Sequence, residues 1–506
     1  MHRVLHVIHR LSRGGASRSL LTMAATSTRR GGFQHRVVSL IRAPAALAGA
    51  TARLGIDLLD APDHAALRRA VEAADIVQLH FWNTPEVYEW LRGELPALRL
   101  LTRVNVGGGH PPQVLTRALI AFSDLVAAGS AYTLDLPVCR DLPGAERDKL
   151  ALLVPAADFA RLDGLAPRPH PGFVVGYIGT VDFAKLHPDF VRMSAAIDVP
   201  GVRFIVCGDG AAHEQLARQA TAHGIADRLE LRGHVEDVRA VLESLDVFGY
   251  PLREDNYSSA DAVLHEAMFA GVPPVVFDHG GAARTVQHGR TGLVVRNAAE
   301  YRAAIAHLFE HPTERARLGA AARAFARQHW GADNAVDQLQ RLYRRLLALP
   351  KRGRRWPAPP ALAGAACFVD ALGHLAGPFA RSLAARETLD ALAADDEIAR
   401  ASPVLLSPGG GGLVHYRNHY RGDGHLRLWT GLALEHGGQS VRALAEYRAA
   451  AALGCAHPRL RWYQARVAAR LGAVDFALAN LRAVAREAPE IGAAREMLRH
   501  LEIHGA

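Results

Sequence analysis

Hydrophobic positions along residues 1–165 fall into two alternating patterns. Short β-branched runs, VLHVI (4–8), HRVVSL (35–40), DIVQLHF (75–81) and LLTRVNV (100–106), have the length and composition of buried strands. Between them, SRSLLTMAATSTRR (17–30) and PEVYEWLRGEL (85–95) are richer in Ala and Leu and read as helices. The alternation predicts βαβ units and a parallel sheet covered on both faces. Residues 151–170, with Pro155, Pro167 and Pro169, interrupt it as a linker. A second series follows: VVGYIG (174–179), VRFIVCG (202–208), LELRGHV (229–235), DVFGYP (246–251), VPPVVF (272–277) and GLVVRN (292–297), with helices between. Two such units would bring loops from both sheets to one crevice, where open parallel sheets bind ligands. The helix in WGADNAVDQLQRLYRRLLAL (330–349) closes this part and is expected to pack back on the first unit.

The pattern changes after PKRGRRWPAPP (350–360), a Pro- and Arg-rich break. GLALEHGGQSVRALAEYRAAAALG (431–454) and QARVAARLGAVDFALANLRAVAREAP (464–489) superimpose with a shift of 34 residues. Gly431 then falls on Ala465, Gly438 on Gly472, Ala443 on Ala477 and Tyr447 on Leu481. A 34-residue helix–turn–helix period resembles tetratricopeptide repeats. Two units, 425–458 and 459–492, are too few to stand alone, so helices within 368–400 should pack against them. SPGGGG (407–412) lacks a following Lys-Ser/Thr and is expected to be a flexible loop from which no helix opens. The expected domains are therefore 1–165, 166–349 and 368–506, with a linker at 350–367.

Composition narrows the class. No run of about 18 apolar residues is present, so no membrane span is expected. The four cysteines, Cys139, Cys207, Cys367 and Cys455, lie far apart, with neither zinc-ligand nor disulfide-framework spacing. A reducing cytoplasm is the expected compartment, and the Ala- and Arg-rich composition fits a bacterial source. The net charge of +9 permits peripheral contact with an anionic membrane face. Its Arg residues are scattered rather than gathered with aromatics, so no nucleic-acid partner is expected.

Residues 254–281, EDNYSSADAVLHEAMFAGVPPVVFDHGG, concentrate the candidate chemistry. Ser258-x-x-Asp261 reads as a capping box, with a helix starting at Ser258 or Ser259. A helix start offers free N–H groups and the positive end of the dipole, which suits phosphate. Glu266 would lie about two turns in, partly exposed among Ala262, Val263, Ala267 and Ala270. Read from the residues alone, Glu266 is a structural partner or a ligand-binding carboxylate, and Lys185 a surface lysine or a phosphate ligand.

EAMFAGVPPVV (266–276) resembles the hallmark segment of glycosyltransferase family 4, the retaining nucleotide-sugar transferases of the GT-B fold. SRGGASRSLL (12–21) resembles that family's Gly-Gly loop, and GYIGTVDFAKLHPDF (176–190) its phosphate-clamp segment. VCGDG (206–210) and GRTGLVV (289–295) resemble its later turns, and the likeness extends over residues 1–349. It implies an α/β fold of two Rossmann-like domains facing across a cleft, with the all-α repeat-like domain appended.

The resemblance also implies roles. Glu266 would bind the ribose hydroxyls, and Lys185 would neutralise the donor diphosphate and stabilise the leaving group. Gly14 and Gly15 would approach the diphosphate, while Ser258, Ser259 and Asp261 would face the donor. The backbone at His234 and Val235 would line the base. This chain departs from the pattern in three places. Ser258 stands where the family has a sugar-facing Glu. Thr180 follows Gly179 where an Arg is usual. Asn105 lies near the usual pocket His. His80 and His110 are candidates to fill that pocket, with Arg253 and Arg103 to supply charge. The implied activity is metal-independent, cofactor-free, retaining transfer from a UDP- or GDP-sugar to a glycan or lipid-linked acceptor in bacterial polysaccharide or cell-envelope synthesis. Residues 368–506 would bind a protein partner. The rival reading is a non-catalytic transferase fold acting as a nucleotide-, glycan- or protein-binding scaffold.

Overall fold

The computed structural model describes residues 1–157, 159–165, 168–357, 363–401 and 403–504. Pro167 and part of the expected 350–367 linker lie outside them. The chain divides into two units. The first comprises Met1–Trp82, Glu94–His110 and Arg117–Arg355; the second comprises Asn83–Gly93, Pro111–Thr116 and Trp356–Ala506.

The first unit holds two parallel sheets. The strands of sheet one are β1 (His2–Ile8), β2 (Phe33–Ser39), β3 (Asp57–Asp60), β4 (Ile76–Phe81), β5 (Leu100–Val104), β6 (Leu125–Ala128) and β7 (Leu150–Leu152). Their order is β3-β2-β1-β4-β5-β6-β7, with Val4 opposite Ile76 on one side and His35 on the other. Sheet two contains β8 (Phe173–Ile178), β9 (Val202–Cys207), β10 (Leu229–Gly233), β11 (Val247–Tyr250), β12 (Pro274–Phe277) and β13 (Leu293–Val295). Its order, β10-β9-β8-β11-β12-β13, repeats the same outward-then-return winding. Such winding leaves a crevice at the carboxyl ends of the strands flanking the reversal. Among the described residues, β3, β6 and β7 were invisible as strands because DLLD, LVAA and LAL are short and lack β-branched runs.

Four helices of this unit matter for the site: α1 (Gly15–Arg30), α2 (Ala262–Ala270), α3 (Pro312–His329) and α4 (Ala332–Leu347). Along α4, Ala335, Val336, Leu339, Leu342, Tyr343 and Leu346 form an apolar stripe at helical spacing. That stripe shares a core with Val4, Met23, Phe33, Ile76 and Leu101, so the last helix of the second half covers sheet one. Gly319 of α3 sits so close to α2 that a Cβ there would meet the Gly271 carbonyl at 2.1 Å.

The second unit is helical: α5 (Gly364–Ala371), α6 (Gly377–Ala384), α7 (Thr388–Ala399), α8 (Leu413–His419), α9 (Gly424–His436), α10 (Ser440–Ala452), α11 (Pro458–Arg470), α12 (Val474–Glu487) and α13 (Gly492–His504). Helix starts at 424 and 458, and at 440 and 474, differ by 34 residues. Gly438 and Gly472 take positive φ of 74° and 75° at equivalent turns. A Cβ on Gly431 would press within 2.5 Å of the Tyr447 ring, so a small residue is required where α9 crosses α10. From α7, Asp395 accepts from Tyr463 at 2.9 Å and from Ser382, tying the earlier helices to α11.

Three expectations are corrected. The helix Pro85–Arg92, expected between strands of the first domain, belongs to the helical unit, where Arg92 lies 3.4 Å from Asp370. Residues 350–355 are not a free linker: Arg354 is 2.7 Å from the buried Asp124 carboxylate, and Arg352 pairs with the same group. The SPGGGG loop is closely packed and does open a helix. Gly412 caps α8, and Gly411 lies against the Asn83 carbonyl, leaving no room for a side chain.

Candidate active site

A cavity of about 560 Å³ opens at the carboxyl ends of the sheet-two strands, facing the start of α1. Four loops build it in spatial order. Glu236, Val235 and His234 follow β10; Cys207, Gly208 and Asp209 end β9; Gly179, Thr180 and Lys185 follow β8; Asp261, Ala262, Val263 and Glu266 follow β11. Arg13, Gly14, Gly15 and Arg18 close it from the side of sheet one, and Arg161 from the segment between the sheets. The β9 turn fits only without side chains. A Cβ on Gly208 (φ 138°) would lie 1.7 Å from the Gly179 carbonyl, and one on Gly210 2.0 Å from that of Val181.

Two helices begin at this cavity. Helix α1 follows Gly14 and α2 follows Asp261, and neither has a side-chain cap. A Cβ on Gly15 would stand 3.4 Å from the Ala262 Cβ, so the two starts nearly touch. Their unmatched N–H groups make a concave, positively polarised surface.

Charged groups are paired across this surface. Lys185, 7% exposed, places Nζ 3.0 Å from Asp261 Oδ1 and 5.5 Å from the centre of the Tyr250 ring. The Tyr250 hydroxyl donates to Asp261 Oδ2 at 3.0 Å. Burial and the Asp261 charge hold the Tyr250 hydroxyl well above its ordinary pKa, so it remains a donor. Glu266 is 3% exposed. Its Oε1 accepts from Arg161 and lies 3.8 Å from Arg18 Nη1, whereas Oε2 is buried without a hydrogen-bond partner. At the far end, His234 Nδ1 is 3.5 Å from Asp209.

Gly14, Gly15, Lys185, Asp261, Glu266, His234 and Val235 are thus gathered around one cavity. Other expected residues are not. The helix begins at Ala262, after Ser258 and Ser259, and no capping box forms because the Asp261 carboxylate is taken by Lys185 and Tyr250. Glu266 is accordingly only about one turn in, and fully buried. Ser258 and Ser259, each 4% exposed, are wedged against Gly107 and Gly129 of sheet one's loops. A Cβ on either glycine would fall 2.8 Å from Ser258 O or Ser259 Oγ, which leaves the serines no access to the cavity.

His80 and Asn105 belong to the core of sheet one instead of a ligand pocket. His80 Nε2 is 3.1 Å from His6 Nδ1, His6 Nε2 is 2.8 Å from His35 Nδ1, and Asn105 lies 3.5 Å from His80 Nδ1. The void beside them is about 10 Å³. Burial, with the Arg103 charge, pushes His80 down to about 3; burial alone takes Arg103 down to about 9. Arg103 donates to the Leu153 carbonyl and Arg253 to that of Phe183 at 2.6 Å, so neither lines the cavity. His110 is also absent from its wall. Sequence reasoning missed Arg13, Arg18, Arg161 and Tyr250. Arg13 and Arg18 stand in the Gly-Gly segment and Tyr250 ends a strand run, but nothing in those runs marks their side chains, and Arg161 meets Glu266 across 105 residues.

Comparison with known proteins follows the same lines. Residues 172–311 match the family model for glycosyl transferases group 1. The GDP-mannose-dependent alpha-(1-6)-phosphatidylinositol monomannoside mannosyltransferase of Mycobacterium tuberculosis is 32% identical over 149 residues, which are 28% of this chain and 39% of that protein. The chain therefore spans about two-fifths of that relative's length. The D-inositol 3-phosphate glycosyltransferase of Stackebrandtia nassauensis is 26% identical over 304 residues, 52% of this chain and 67% of that protein. Among solved structures, Anabaena HepE in complex with UDP-glucose aligns with a TM-score of 0.57 at 18% identity, over 68% of this chain and 100% of that one. That last likeness is one of fold, two parallel Rossmann-type sheets in the GT-B arrangement. The segment that matches glycosyl transferases group 1, residues 172–311, lies within that fold.

Proposed function

We propose that the protein is a glycosyltransferase that takes a nucleotide-sugar donor into the 560 Å³ cavity. The observation that carries this reading is the meeting of two uncapped helix starts, at Gly15 and Ala262, beside Lys185 and within reach of Glu266. Helix N-termini with a lysine suit a diphosphate, and a buried carboxylate with one free oxygen suits a ribose hydroxyl. Names of relatives support the same class: a GDP-mannose-dependent enzyme by sequence and a UDP-glucose complex by fold. The base would lie toward His234 and Val235, and the sugar toward the α1 start.

In this reading Lys185 leaves Asp261 for the diphosphate when the donor enters. As the glycosidic bond breaks, charge grows on the departing phosphate, and Lys185 with the helix N–H groups stabilises it more than in the ground state. Transfer with retention, without a metal, to a glycan or lipid-linked acceptor of the bacterial envelope is the proposed detail. The helical unit, as a tetratricopeptide-like array, would hold a protein partner. Cytoplasmic residence, with contact at the inner membrane face, is proposed with it; no described helix is long and apolar enough to cross a membrane.

The test is donor turnover. Lys185→Ala and Glu266→Ala are each expected to lower transfer or donor hydrolysis about tenfold or more, roughly 1.4 kcal/mol of lost barrier stabilisation. Unchanged rates in both variants would overturn the site.

A further inference from the structure

Glu266 meets its neighbours unevenly. Both guanidinium contacts, from Arg161 and Arg18, go to Oε1, and Oε2 is buried with no donor. A buried acceptor left unmatched is costly, so the open oxygen points to a ligand. Arg161 is the closer of the two cations, and its backbone is firmly placed. It lies in the turn Ala160–Leu162, where Leu162 is 1% exposed and its N–H donates to the Phe159 carbonyl at 2.8 Å. The Phe159 ring stacks on Phe269 with centroids 4.1 Å apart and planes 10° from parallel. Phe269 stands three residues beyond Glu266 on α2. Cation and carboxylate are therefore both fixed to one helix.

A buried ion pair is weak evidence for stability. This one forms part of the cavity wall, and Arg161 and Glu266 also line an adjoining groove of about 290 Å³ along α1. The pair sets a hydrogen-bond acceptor, Oε2, beside a hydrogen-bond donor, the guanidinium. A vicinal diol complements that arrangement, one hydroxyl donating to the carboxylate and its neighbour accepting from the guanidinium.

We propose that Arg161 is a specificity residue for the donor ribose, holding Oε1 of Glu266 so that Oε2 takes one hydroxyl while the guanidinium takes the other. The inference rests on the cavity being a nucleotide-sugar site. Removal of the hydroxyl that donates to Oε2 leaves a buried acceptor unmatched, and a site built to bond a hydroxyl rejects the analogue that lacks it.

Calorimetric titration of the full chain with UDP and GDP, and with their 2′-deoxy and 3′-deoxy counterparts, tests this. Wild type is expected to favour a ribose form over at least one deoxy form by about tenfold or more. Arg161→Gln should bring that ratio to within about twofold, and Arg161→Lys should retain part of it. Phe159→Leu, which removes the stack but no polar group, should lower the ratio to an intermediate value; if Arg161→Gln does not fold, it and Arg161→Lys carry the test. Equal weakening of ribose and deoxy forms by Arg161→Gln, or an unchanged ratio, would overturn the role of Arg161 while leaving the nucleotide site standing. A wild type that binds neither UDP nor GDP would overturn the nucleotide site itself, and this inference with it.

Discussion

At the scale of single residues, the site is a set of exchanged partners. Asp261 occupies Lys185 and satisfies Tyr250, a side chain with no exposed surface. Asp261→Ala should leave the Tyr250 hydroxyl unmatched, at about 1–3 kcal/mol of stability, measurable by urea unfolding. Asp261→Asn keeps an acceptor for Tyr250 and should recover most of that loss. Lys185, Glu266 and the glycines at 14 and 15 were legible because each lies in a segment of fixed spacing, and spacing survives in sequence. Arg161, Arg18 and Tyr250 were not, because their meaning is a partner brought close only by the fold. Ser258 and Ser259 mislead for the converse reason. They stand in the marked segment, yet Gly107 and Gly129 press against them and leave no path to the cavity.

Among elements, α2 is the most constrained. It ends at Gly271 with a positive φ of 80°, carries Glu266 and Phe269, and is crossed by α3 at Gly319. Because a methyl at 319 would meet backbone and not a movable side chain, Gly319→Ala should cost about 1–3 kcal/mol and lower the melting temperature. Phe269→Ala should cost about 3–5 kcal/mol, since it empties a buried position and ends the stack on Phe159. The long β-branched strands could be read from pattern, as could the 34-residue spacing of the C-terminal helices. The four-residue strand Leu125–Ala128 could not, because its neighbours, and not its composition, hold it extended.

In the whole molecule, the two units should answer pH in different ways. In the first, burial drives His6 well below its ordinary pKa, His35 to about 4, and His80 and His265 to about 3. These imidazoles are neutral when folded and bind protons when unfolded below about 6.5. The unfolded state then binds more protons, so stability is lost as pH falls from 6.5 toward 4. In the second unit, Glu86 and Glu89 raise His419 to about 9. That contribution is fully present below 6.5 and is lost as pH rises through 9. Burial lowers His425 and His457 there, so they act only on the acid side. Calorimetry between pH 7 and 9 should show one transition weakening while the other stays put; Glu89→Gln should shrink that drift. A further consequence follows from α4, whose apolar stripe covers sheet one although it follows sheet two in sequence. The polypeptide crosses between the two Rossmann halves twice, so the half built on sheet one is not a contiguous fragment. Residues 1–165 expressed alone would bare Val4, Met23, Phe33 and Ile76 and should aggregate, whereas co-expression with a separate 330–506 fragment, which supplies α4 and the helical unit to which Pro85–Arg92 belongs, should restore a soluble complement.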